Sequence, residues 1–332
     1  MTKKTAVFLT VFTVLLFTGM FLAVSLGAKK LPFDTVVSAL TEGGASLDVK
    51  LIREVRLPRT IAAALTGGML ALSGAVMQGV TRNPLAEPSI MGMTQGASLA
   101  VAAASVLPAV SGLFSITVSA LLGAFLGGIL VLGFCVRTAN LSISRLLLAG
   151  TALGTFFLSL SSLIGILGNR SQELAFWVSG GFRSISWGHV GMLTPAGIMA
   201  LILSLSLAGS INILSLGDEA ATGLGVRPAR IRLISILLLI PVCAVCVAGA
   251  GNIAFVGLII PHTVRGIFGV DHKKLLPLSA LTGSVFLVWA DVAARTILPR
   301  TEVPIGILIS VVGAPFFIFL MVRKNYSFGG RA

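Results

Sequence analysis

Few side chains in this sequence could do chemistry. Cys243 and Cys246 are three residues apart, so on a helix both thiols share a face and could bind a metal or exchange electrons. Inside the apolar run 232–250 they read better as small packing residues. Asp291 and Arg295 stand four apart and can pair along one helix face. His262 lies towards the inner end of a short apolar stretch. Asp218 and Glu219 open the segment Ser215-Leu-Gly-Asp-Glu-Ala-Ala-Thr-Gly-Leu-Gly-Val-Arg-Pro228. Its acidic start favours a short helix through the dipole, and Gly223 and Gly225 end that helix before a basic run. As a bare pattern this is either a capped connector or a docking element for a cytoplasmic partner. Nucleotide chemistry has no seat: the chain lacks a Gly-Lys dipeptide, hence a Walker A loop. Val178-Ser-Gly-Gly-Phe182 looks like the start of an ATPase signature, but it falls on the predicted outer side and is a decoy.

The elements that must position these residues are membrane helices. Of 332 residues, 56% are apolar and 11% charged, against about 45–50% and about 25% in soluble domains. A water-soluble globule is excluded. A spanning helix needs about 20 apolar residues, and ten runs qualify: 5–28, 60–80, 91–107, 113–136, 145–168, 191–214, 232–250, 253–269, 275–294 and 304–322. The fold expected is all-α, a single transmembrane domain over 1–332 with about ten spans. The first run begins like a signal peptide, Met1-Thr-Lys-Lys, but its apolar stretch is too long and no cleavage site follows it well, so it reads as a retained helix. Short helices are expected at 34–40 and at 172–178, the latter interfacial with Trp177 and Trp187 at headgroup level.

Ten spans put both termini on one side, and the charges choose the cytoplasm. With that orientation fourteen of the 24 Lys and Arg residues lie inside, including Arg82, Arg227, Arg230, Arg232, Lys273 and Lys274. The outer cations are concentrated: Lys29, Lys30, Lys50, Arg53, Arg56 and Arg59 share the first external loop. Without that loop the bias is strongly positive-inside. The net charge of +13 is therefore mainly topological, and nucleic acid is not implied. Glu87 is placed in an inner loop, and no acidic residue falls at the centre of a span. That disfavours an ion-coupled secondary transporter, which keeps ionisable groups at mid-membrane. Gly92/Gly96, Gly123/Gly127 and Gly150/Gly154 are spaced for close helix packing.

Longer motifs decide between the open readings. Arg56-Leu-Pro-Arg59, Ser73-Gly-Ala-Val-Met-Gln78 through Asn83-Pro84-Leu-Ala-Glu-Pro88, Arg145-Leu-Leu-Leu-Ala-Gly150, the Leu216-Gly-Asp-Glu219 loop, Gly251-Asn-Ile-Ala-Phe-Val-Gly-Leu-Ile-Ile-Pro-His262-Thr-Val-Arg265, Ala290-Asp291 to Arg295, and Glu302-Val-Pro-Ile-Gly306 to Gly313-Ala-Pro-Phe-Phe317 occur in this order. Together they resemble the permease family of ABC importers for iron-siderophores and cobalamin, over residues 53 to 320.

That resemblance implies ten spans in the bacterial cytoplasmic membrane and a dimer with a second permease, the same or a related chain. It also implies two cytoplasmic ATPase subunits that spend the ATP, and an extracytoplasmic binding protein that delivers the siderophore. This chain needs no cofactor, no metal of its own and no catalytic residue. Arg56, Arg59 and Arg295 match positions that grip acidic residues of the binding protein. Leu216, Gly217, Asp218, Glu219, Ala220, Gly223, Leu224 and Gly225 match the loop on which the ATPases dock. Ser142, Ile143 and Ser144 match the inner gate. The function expected is import of an iron(III)-siderophore by alternating access. A chelate travels with its ligands filled, which suits spans free of His, Cys and carboxylate clusters; cobalamin or haem is the alternative cargo.

Overall fold

Helix after helix follows from the apolar runs, and the glycines among them set how closely the helices meet. The computed structural model describes residues 3–27, 31–41, 46–107, 115–136, 143–298 and 301–322. In chain order the helices are α1 (Lys3–Ser25), α2 (Phe33–Thr41), α3 (Leu47–Lys50), α4 (Leu57–Thr81), α5 (Met93–Val106), α6 (Ile116–Val136), α7 (Ile143–Leu167), α8 (Ser171–Val178), α9 (Trp187–Leu214), α10 (Asp218–Gly223), α11 (Pro228–Ala250), α12 (Val256–Phe268), α13 (His272–Thr296) and α14 (Ile305–Val322). Among the described residues seven helical stretches are long and apolar enough to cross a bilayer, and shorter apolar helices at 93–106, 256–268 and 305–319 occupy the third, eighth and tenth expected spans.

The second span begins far earlier than its apolar core suggests. Helix runs without a break over Leu47–Thr81, 35 residues. Ser46 starts it, its hydroxyl accepting the Val49 N–H at 3.3 Å. Pro58 has no N–H to donate, and a π turn over Leu51–Arg56 carries the helix past it, closed by the Leu57 N–H on the Ile52 carbonyl. The loop expected at 29–59 is thus largely helical; its Lys29 and Lys30 lie outside the described residues.

Helix α4 is the spine. It is buried on nearly every side and packs against α9, α11, α12 and α13. In lipid there is no hydrophobic drive between helices, so close van der Waals approach must supply the attraction. Gly67 meets Gly283 of α13, where a Cβ on either glycine would come within 2.3 Å of the other's carbonyl oxygen. Gly74 meets Gly257 of α12 more tightly still, at 1.8 Å from a built Cβ to that carbonyl oxygen. The glycine pairs read from the sequence do the same work elsewhere: Gly96 lies on Gly123, and Gly127 on Gly92, joining α5 to α6. Helix α1 lies at the edge on α13, where Gly19 leaves room for the Trp289 ring and the Trp289 Nε1–H donates to the Leu15 carbonyl at 3.1 Å.

The α4–α12 crossing has no room for a methyl group. Gly74→Ala is expected to lower the melting temperature and folded yield in detergent, the cost of overpacking being about 1–3 kcal/mol. Gly133, with nothing within 4 Å of its built Cβ, should accept alanine unchanged; equal melting of the two variants would refute this packing.

Candidate docking, coupling and pathway sites

At the outer end of α4 five charged side chains form one cluster. Arg59 donates from Nε and Nη2 to Asp291 Oδ1 at 3.0 and 2.9 Å and from Nη1 to both Glu302 oxygens at 3.1 and 3.0 Å. Arg295 pairs through Nη2 with Asp291 Oδ2 at 2.8 Å, one turn along α13. It also donates to the Leu26 carbonyl at 3.2 Å. Arg56 gives Nη1–H bonds to the Val24 and Ser25 carbonyls at 2.7 and 2.9 Å. These are carbonyls at the end of α1 that no further helical turn satisfies, and a cation suits that end of the dipole.

The helix pairing of Asp291 with Arg295 is as read from the sequence. Arg56, Arg59 and Arg295, the positions matched to docking, are only 5, 8 and 7% exposed. All three guanidinium groups are packed against this chain's own carboxylates and carbonyls. A guanidinium this far from water must be compensated, and Asp291, Glu302 and the end of α1 provide the compensation. Glu302, half-open to solvent, is the partner that sequence reasoning left without a role.

On the inner side the short helix appears where the acidic pair and the glycines put it. Asp218 holds it: Arg232 Nη1 and Nη2 donate to its two oxygens at 2.9 and 2.8 Å, and Arg82 Nη2 lies 3.0 Å from Oδ1. Arg232 Nε also donates to the Val80 carbonyl at 3.1 Å, so α10 is clasped to the end of α4 and the start of α11. These cations hold the Asp218 carboxyl below its ordinary value, the Arg232 hydrogen bond contributing most. Glu219, Ala220, Gly223 and Gly225 are exposed, as are Leu216 and Leu224, at 65 and 61%. Gly217 and Gly225 carry φ of 116° and 79°, a region other residues rarely enter.

Helix α7 is the least enclosed span after α1, with 22% of its apolar window buried. Its open side carries Thr151, Thr155, Ser159 and Ser162, at spacings that align them on one face. Each hydroxyl donates to the carbonyl four residues back. The sequence reading named no such residues; the signal available was this spacing. Of the gate residues, Ser142 and the side chains of Ile143 and Ser144 lie outside the described residues. Val178–Phe182 is structural: Gly180, at φ 70°, fits against the Asn252 carbonyl.

Glu87 requires a correction. Arg82 turns the chain at φ 49°, and the segment after it rises beside α4 until Pro88 touches Gly257. Glu87 lines a small cavity together with Thr66 and Leu70, which belong to the middle of α4. It therefore stands level with the middle of that helix and not with the inner loops. The sequence could not show this, because a connector's depth depends on what it packs against.

The profile of the FecCD transport family matches residues 14–323. The chain belongs to that family. It is 42% identical over 314 residues to the iron(3+)-hydroxamate import system permease protein FhuB of Bacillus subtilis strain 168, covering 94% of this chain and 82% of that one. With the Fe(3+) dicitrate transport system permease protein FecD of Escherichia coli K12 the identity is 37%, covering 83 and 86%. With the cobalamin import system permease protein BtuC of Halobacterium salinarum it is 38%, covering 82 and 73%. Among solved structures, a metal-chelate type ABC transporter in an inward-facing conformation superposes with a TM-score of 0.81 at 32% identity, covering 94% of this chain and 98% of that one.

Asp291→Asn leaves Arg59 and Arg295 buried with less counter-charge and should destabilise the protein by about 3–5 kcal/mol, read as a lowered melting temperature. The Asp218 clasp has the sign of a depressed carboxylate: its contribution is full above the unfolded-state value and is lost only as pH falls through the lower folded one. Trypsin sensitivity of the 215–228 loop should therefore be flat over about pH 5–8 and rise in Asp218→Asn.

Proposed function

We propose that this chain is the permease subunit of a binding-protein-dependent ABC importer that carries an iron(III)-siderophore across the bacterial cytoplasmic membrane. The observation that carries the cargo is the 42% identity, over nearly the whole chain, with a permease named for iron(3+)-hydroxamate import. The hydroxyl face of α7 supports the path. A lipid-facing helix gains nothing from four aligned hydroxyls, whereas a polar chelate passing between two permease copies can exchange water for them. Cobalamin is the second reading, supported by the 38% identical relative of that name.

In this reading ATP is spent by separate cytoplasmic subunits seated on α10, against Leu216, Leu224 and Glu219. Asp218 joins that seat to α4 and α11, so movement of the seat is passed into the spanning helices. At the outer end a binding protein docks by exchange. An incoming carboxylate replaces the half-exposed Glu302 on Arg59, while Asp291 keeps the guanidinium compensated throughout. Lys50, exposed on the same side, adds a steering charge.

Proteoliposomes holding the permease, its ATPases and its binding protein should accumulate radiolabelled ferric hydroxamate and leave cobalamin outside; the reverse preference overturns the cargo. Glu302→Gln removes the internal competitor and should tighten binding-protein docking severalfold in a pull-down titration; unchanged or weaker docking refutes the exchange. Glu219→Lys should reduce ATPase stimulation by the loaded binding protein, and full stimulation removes α10 from the coupling path.

A further inference from the structure

Gln78 and Pro261 belong to two of the ordered motifs, and neither has a part in the sites described above. Pro261 lies inside α12. In an α-helix the N–H of residue 261 would donate to the Gly257 carbonyl, but proline has no N–H, and its ring crowds that carbonyl. The bond is made instead from another helix. Gln78 of α4 donates from Nε2 to the Gly257 carbonyl at 3.1 Å, and at the longer distance of 3.4 Å to the Leu258 carbonyl.

The sequence of α4 is fitted to this contact. Gly74 and Gln78 are four residues apart and share a face. Gly74 admits the Gly257 carbonyl, which leaves no room for a Cβ, and Gln78, one turn further along, bonds it. Gln78 is fully buried, so both ends of its amide need partners. Arg265, in the last turn of α12, donates from Nη2 to Gln78 Oε1 at 2.9 Å. Turned round, the amide would face two carbonyls with its oxygen and a guanidinium with its NH2 group. The network therefore admits one orientation.

Gly257 is in the first turn of α12 and Arg265 in its last. One glutamine thus grips α12 on both sides of Pro261. A proline interrupts the helix's own ladder, so the course of α12 beyond Pro261 depends on what holds it from outside. The inner end of α12 in turn receives α1, where Lys4 Nζ donates to the Ile267 carbonyl at 2.9 Å.

We propose that Gln78 is a positioning residue for transport: its amide supplies the hydrogen bond that Pro261 removes from α12, and by holding Gly257 and Arg265 together it sets the course of α12 against α4. The bend at Pro261 is then a property of the helix pair and not of α12 alone. The consequence for transport rests on the import reading above; the exchange of hydrogen-bond donors does not.

A double-mutant cycle tests the exchange. Gln78→Leu takes the donor from the buried Gly257 carbonyl and should lower the melting temperature in detergent by about 2–4 °C or more. Pro261→Ala returns an N–H to residue 261, so in that background Gln78→Leu should cost about half as much or less. An equal loss in both backgrounds overturns the exchange. Should Gln78→Leu fail to fold, the double variant is expected to recover folded yield, and no recovery overturns the exchange equally. In proteoliposomes with the ATPases and the binding protein, uptake of radiolabelled ferric hydroxamate per folded complex should fall severalfold in Gln78→Leu and recover in the double variant. Uptake at the wild-type rate in Gln78→Leu overturns the positioning role. A wild-type complex that takes up no ferric hydroxamate refutes the import reading instead, and the melting cycle still decides the exchange.

Discussion

Helix α4 touches its neighbours backbone to backbone, and every other feature of this permease takes its position from those contacts. The Gly67–Gly283 crossing brings α13 close enough for Asp291 to reach Arg59. The Gly74–Gly257 crossing fixes how deep α12 begins, and with it the cavity around Glu87. Association in lipid rests on such packing because the solvent is as apolar as the side chains. A methyl group at either crossing displaces a charge network as well as a helix.

The two ends of α4 carry the two charge networks on which the proposed attachments rest. Arg59 sits in its first turn, within an ion cluster that reaches the outer surface through Glu302. Val80 and Arg82, at its last turn, are bound to the Arg232–Asp218 clasp beneath the exposed face of α10. The 25 residues of α4 thus join the proposed docking region to the proposed ATPase seat. Because this helix is buried on nearly all sides, it transmits displacement rather than bending away from it.

The legible part of the site was local in sequence. Asp218 and Glu219 followed by Gly223 and Gly225 described α10 correctly, since helix starts and stops depend on residues within a turn or two. Asp291 and Arg295 paired because four residues complete one turn. Paired glycines announced close helix packing by spacing alone, though not that α5 and α6 would be the helices that meet. The less legible part was the state of the arginines. A sequence shows that Arg56 and Arg59 lie beside an outer loop, but not that the end of α1 and Glu302 have folded back onto them.

Read in one dimension, the chain already showed a polytopic helical membrane protein and the family its ordered motifs belong to. Those properties are carried by hydrophobic length and residue order, which need no knowledge of the fold. Tertiary structure alone decided which charges are spent internally and at what depth Glu87 lies. Arg59 and Asp291 are 232 residues apart, and the segment bearing Glu87 takes its depth from α12, more than 160 residues on. Burial of a charge is settled by neighbours in space, and in a helical bundle those neighbours come from distant parts of the chain.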